Sequence, residues 1–93
     1  MGIPATSTTK LTAAGNIKAS AGYLLWFIVS NDKDDDQDCI FNNATSGTGS
    51  EVFRLKLGAY ETICFAFPIA LWFSTGIRVG TLDGDLTITC GYI

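Results

Sequence analysis

The chain contains no histidine. Ser-His-Asp and Cys-His machinery therefore cannot be assembled from it. Its three cysteines, Cys39, Cys64 and Cys90, are widely spaced and form no CxxC pair, which also excludes the usual structural zinc sites. Positive charge is scarce. Lys10, Lys18, Lys33, Arg54, Lys56 and Arg78 are scattered over 93 residues with net charge −3, so the electrostatic footprint of a nucleic-acid-binding protein is missing. No long hydrophobic run occurs either. Residues 23–29 and 63–73, the second interrupted by Pro68, fall short of the roughly 20 residues a membrane-spanning helix needs. The opening MGIPATSTTK lacks the charged and apolar regions of a secretory signal. There is no glycine-rich phosphate loop. No enzyme activity, cofactor, nucleic acid or membrane is expected.

What is present is strand periodicity. In EVFRLKL, Phe53, Leu55 and Leu57 alternate with Val52, Arg54 and Lys56. In DLTITCGYI, Leu86, Ile88, Cys90 and Tyr92 alternate with Thr87, Thr89 and Gly91. Such alternation marks strands with one dry and one wet face. GNIKAS, DCIFNN and TICFAF read as further strands. Asp83-Gly84 signals a tight hairpin, and ATSGTGS a flexible connection. Apolar spacing at the helical period never persists. The pattern predicts an all-β domain, an antiparallel β-sandwich or jelly-roll-like barrel of seven or eight short strands over residues 11–93, behind a tail at 1–10. The cysteines, each inside a predicted strand, are expected as buried reduced thiols.

Two segments carry more apolar character than one core face requires. In GYLLWFIVS, Tyr23, Leu25, Phe27 and Val29 alternate with Leu24, Trp26 and Ile28, so both faces are apolar. Later, Trp72 and Phe73 are adjacent and point opposite ways. A two-layer domain has no third layer to cover a second apolar face. With 47% hydrophobic and only 16% charged residues, a domain this small must leave apolar patches exposed. A homo-oligomer is expected, with Leu24, Trp26, Ile28, Trp72 and Phe73 at the contact between copies.

The run NDKDDDQD holds five of the nine acidic residues. Asp32, Asp34, Asp36 and Asp38 occupy alternate positions, as in a calcium loop, which makes them a weak metal candidate. Gln37 stands where the sharp-turn glycine belongs, however, and Asn43 where the bidentate glutamate belongs. The main expectation is a solvated loop that opposes edge-to-edge aggregation of its flanking strands. A ligand-binding β-module for carbohydrate or calcium, using Trp26, Trp72 and this loop, is the alternative function.

GNIKASAGYLLWFIVSN, FSTGIRV and the closing GDLTITCGYI together resemble small β-sandwich structural proteins of tailed bacteriophages. The likeness covers roughly residues 14–93 and lies in strand and turn types, without a catalytic signature. It implies a virion location and a role as a capsid decoration protein or a head-fibre or tail accessory module. It also implies assembly with itself, commonly as a trimer, and contact with other virion proteins. No individual functional residue follows from it.

Overall fold

Turn-forming clusters divide the chain into short runs of alternating apolar residues, and each run becomes a strand. The computed structural model describes residues 6–93. Among them are eight β-strands and no helix: β1 (Ser7–Leu11), β2 (Gly15–Lys18), β3 (Gly22–Asn31), β4 (Gln37–Asn43), β5 (Glu51–Leu57), β6 (Thr62–Phe73), β7 (Ile77–Leu82) and β8 (Leu86–Tyr92). Residues 7–10 of the expected tail form most of β1, because their backbone pairs with β8. The first five residues of that tail lie outside the described residues.

Strand pairing is symmetric about the loop at residues 44–50. β4 pairs with β5 (Phe41 opposite Phe53), β3 with β6 (Phe27 opposite Phe65), β2 with β7 (Asn16 opposite Arg78) and β1 with β8 (Thr9 opposite Cys90), all antiparallel. The chain is thus one long ribbon doubled at residues 44–50. Rolling that ribbon up brings β8 beside β3 and β7 beside β4. Two four-stranded sheets result, ordered β1-β8-β3-β6 and β2-β7-β4-β5. This is an antiparallel β-sandwich wound in jelly-roll order. Asp83-Gly84 makes the expected tight turn, with the Leu86 N–H donating to the Asp83 carbonyl at 3.0 Å. It joins strands of different sheets, not a hairpin pair, because β8 is already flanked by β1 and β3.

The core lies between the sheets. Leu24, Phe27 and Val29 of β3 and Leu86, Ile88 and Cys90 of β8 meet Cys39 and Phe41 of β4 and Ile77 and Val79 of β7. Phe41 stacks on Phe53 with centroids 4.5 Å apart and lies 5.7 Å from Phe27. Fully burying each such side chain contributes about 1.5–3 kcal/mol.

The 44–50 loop, expected to be flexible, is tied onto the second sheet. The Asn42 Nδ2 donates to the carbonyls of Thr48 (2.9 Å) and Gly49 (3.1 Å), and its Oδ1 accepts from the Gly80 N–H at 3.1 Å. A Cβ at Gly80 would collide with that Oδ1, so glycine is what lets the amide approach. Arg78 Nε donates to the Gly47 carbonyl at 2.8 Å, and Asn16 Nδ2 to the Thr45 carbonyl at 3.1 Å. Composition alone hides this order, because the anchoring side chains belong to the strands. Asn42→Ala would strand the partly buried Gly80 N–H and free two carbonyls, costing about 2 kcal/mol. Urea unfolding should show that loss as a lower midpoint at unchanged slope, and an unchanged midpoint would mean the loop is held elsewhere.

Candidate assembly surface

Strand alternation places a side chain on the core or outside it, and one irregularity in β3 decides which. The register of β3 shifts between Leu24 and Trp26 against both of its neighbours. This bulge at Leu25 reverses the alternation. Leu24, Phe27 and Val29 therefore point inward, while Tyr23, Trp26 and Ile28 lie on the outer face. Leu24, expected at the contact between copies, is fully buried in the core. Phe73 is also buried, since its neighbour Trp72 takes the outward direction.

The remaining three contact candidates share one face. Trp72 is opposite Tyr23 across the strand pair, and their rings lie 4.9 Å apart. Trp26 is opposite both Ala66 and Gly91. Its indole occupies the space where a Gly91 Cβ would stand, which flattens it against the sheet. Ile28 is opposite Cys64 and Thr89. A depression of about 350 Å³ lies between Trp26, Ile28, Cys64, Phe65 and Ala66. Toward β1 the same face turns polar, with Thr87 and Thr89 on β8 and Thr8 and Lys10 on β1.

A second apolar feature follows from strand order, which the sequence does not display. β5 and β6 are edge strands, one from each sheet. Where they face each other, Phe53 and Leu55 of β5 and Ile63, Phe65 and Phe67 of β6 line a groove of about 210 Å³ floored by Phe27. None of the lining side chains is polar. The alternation of Phe53 and Leu55 was legible, but edge position was not, and it leaves these inward residues only half covered. β6 also carries an excursion. Leu71 and Ala66 pair with Leu24 and Trp26, so residues 67–70 stand opposite the single residue Leu25. Pro68 and Ile69 are exposed there.

The acidic run is an ordered turn. The buried amide of Asn31 donates to the carbonyls of Asp35 (2.9 Å) and Gly58 (2.8 Å), and its Oδ1 accepts from the Lys33 N–H at 3.0 Å. The Tyr60 N–H donates to the Lys33 carbonyl at 2.9 Å, and the Asp38 N–H to the Asp83 Oδ2 at 2.7 Å. Three loops therefore meet at one end of the sandwich, carrying Asp32, Asp34, Asp35, Asp36, Asp38, Glu61, Asp83 and Asp85. The four aspartates proposed as calcium ligands do not converge. All four are exposed, and the Asp36 carboxylate pairs with Lys56 at 3.7 Å. Among the described residues no group of three or more His, Cys, Asp or Glu side chains is placed to hold a metal ion. The basic pair Arg54 and Lys56 is engaged as well, with Arg54 bonded to the Glu51 carboxylate at 2.6 and 3.0 Å.

Comparison with protein-family models, curated proteins and solved structures finds no match for this chain. Among the described residues no helix is long and apolar enough to cross a membrane.

Cys39 and Cys90 are buried as expected, but Cys64 is exposed on the outer face because its parity in β6 is that of Ala66. Burial pushes the Cys39 and Cys90 thiols up to about 12, with smaller contributions from the Asp83 charge at Cys39 and from Cys39 at Cys90. One thiol per chain should react with Ellman's reagent under native conditions, and three in urea. Above pH 9 the unfolded chain loses protons that the folded chain keeps to about pH 12. Stability should accordingly fall as pH rises through that window and be insensitive to these thiols below it. Chemical denaturation at pH 8 and 10.5, with wild type and a Cys39→Ala, Cys90→Ala control, measures the difference.

Proposed function

We propose that this chain is a non-enzymatic structural protein of bacteriophage-virion type, a capsid decoration or head-fibre or tail accessory component, which works by assembling with itself and with other virion proteins. The observation that carries the assembly part is the apolar outer face of β3 and β6. Tyr23, Trp26, Ile28 and Trp72 lie together on it, and Trp72 is 53% exposed. Contiguous apolar surface of this kind marks a contact site. The virion part rests on the strand-pattern likeness and on the jelly-roll order, which capsid domains share with lectins and cupins. Of those relatives in architecture, a cupin-type metal site has no histidines to draw on here. A sugar site would want hydrogen-bonding side chains, and the groove between β5 and β6 is lined without any.

The acidic end constrains how copies meet. Eight of the nine acidic residues cluster there, so contacts that bring two such ends together are opposed by like charge. The apolar face lies along the side of the sandwich and leaves that end toward solvent.

Light scattering coupled to gel filtration should give a native mass above the 9.9 kDa of one chain. Trp72→Ser removes about 2 kcal/mol of burial per contact, some thirtyfold in dissociation constant, and should lower that mass while circular dichroism stays unchanged. An unaltered mass would place the contact on another surface. Capsid or tail genes beside this one in its source genome are the independent check on the virion assignment.

A further inference from the structure

Resting on the assembly reading above, we propose that Ile69 of one copy seats in the apolar groove between β5 and β6 of a second copy, and reciprocally, about a two-fold axis beside β6. The groove offers about 210 Å³ floored by Phe27 and walled by Phe53, Leu55, Ile63, Phe65 and Phe67. That is below the roughly 300–1,000 Å³ of small-molecule sites, and its size and chemistry suit a branched aliphatic side chain. Ile69 is such a side chain, and at 86% it is the most exposed large hydrophobic residue among those described. It sits in the β6 excursion behind Pro68, whose ring restricts the backbone and removes an N–H, so this stretch is stiff and poorly suited to pairing as an edge.

Two observations favour a second copy over another occupant. The projecting residue and the groove are neighbours on one strand, since Phe67 lines the groove two residues before Ile69. A two-fold axis there brings each Ile69 to the other's groove, which is the self-complementarity of an isologous contact. Charge agrees with that symmetry. The acidic loops lie at the start of β6, and a two-fold axis perpendicular to the strand sends the two acidic ends in opposite directions. Area limits such a dimer to a weak, concentration-dependent one. Tyr23, Ile28, Phe65 and Trp72 expose 42–53% of their surface. Together with Ile69 they present on the order of 500 Å² per copy, against roughly 800 Å² per partner in a standard interface. The geometry implies an even number of copies, whereas the strand-pattern likeness implies a trimer.

The test is sedimentation equilibrium of wild type and Ile69→Asp over a range of concentrations, with urea midpoints as the folding control. Because Ile69 is exposed, the substitution should leave the midpoint in place while weakening association about a hundredfold or more. An even-numbered wild type and a monomeric Ile69→Asp support the contact. An oligomeric wild type with Ile69→Asp unchanged overturns this contact and leaves the assembly reading standing. An odd-numbered wild type overturns the two-fold arrangement. A wild type monomeric throughout overturns both readings, and the groove is then open to a different partner.

Discussion

The bulge at Leu25 is the constraint on which the exposed surface depends. β3 is bonded on both sides, to β8 and to β6, so a reversal of its alternation cannot stay local. Before it, Leu24 joins the core beside Leu71 and Tyr92. After it, Trp26 turns outward and needs a neighbour without a side chain on β8, which Gly91 provides. On the β6 side the irregularity has the opposite sense, with residues 67–70, Pro68 and Ile69 among them, standing opposite Leu25 alone. A single extra residue in a central strand therefore sets the inward leucine and the flattened indole together, beside a separate excursion of β6 that exposes Ile69. Bulges beside functional surfaces commonly re-aim side chains in this way.

Jelly-roll winding explains why the apolar surplus collects on one side. Each sheet has two edges, and the ribbon places β5 and β6 on the same side of the sandwich with only residues 58–61 between them. Inward residues of a central strand are covered by both sheets, as Phe41 is. Phe53, Phe65 and Phe67 have the same parity but lie on edges, so their rings pack on Phe27 and on one another while remaining partly open. Those contacts anchor the groove walls to the core, so the groove is ordered by folding itself and would meet a partner as a preformed surface.

The all-β class and most strand positions were legible, because the alternation from Phe53 to Leu57 and from Leu86 to Cys90 survives into β5 and β8. Where reasoning by alternation failed, a backbone irregularity or a topological fact had intervened. A period of two carried unbroken through Leu25 points Leu24 outward with Trp26, and the bulge breaks that period. Phe73 was grouped with Trp72 although adjacency alone sends one of them inward. Cys64 looked like a core thiol because its neighbours are apolar, yet those neighbours belong to an edge strand with both faces partly exposed. The loop at 44–50 looked free because its own residues offer no anchor. Asn42 and Arg78, which hold it, stand in β4 and β7 and meet it only once the sheet has formed.

Charge and apolarity are segregated along different directions of the same sandwich, and the combination restricts assembly more than either does alone. Apolar surface by itself would permit indiscriminate aggregation through β6. The excursion there interrupts edge-to-edge pairing, since Pro68 lacks a donor N–H and residues 67–70 leave the ladder. Side-chain contact is then favoured over sheet extension. On the outer face the threonines of β8 and Lys10 bound the patch on the side away from β6, so the patch ends after two strands. At the end of the molecule the acidic loops oppose coaxial stacking. A contact between copies on this surface, as proposed above, would then be side-on and of limited extent, and a two-fold arrangement of it would close on itself where a head-to-tail one that fails to close would grow into a fibre.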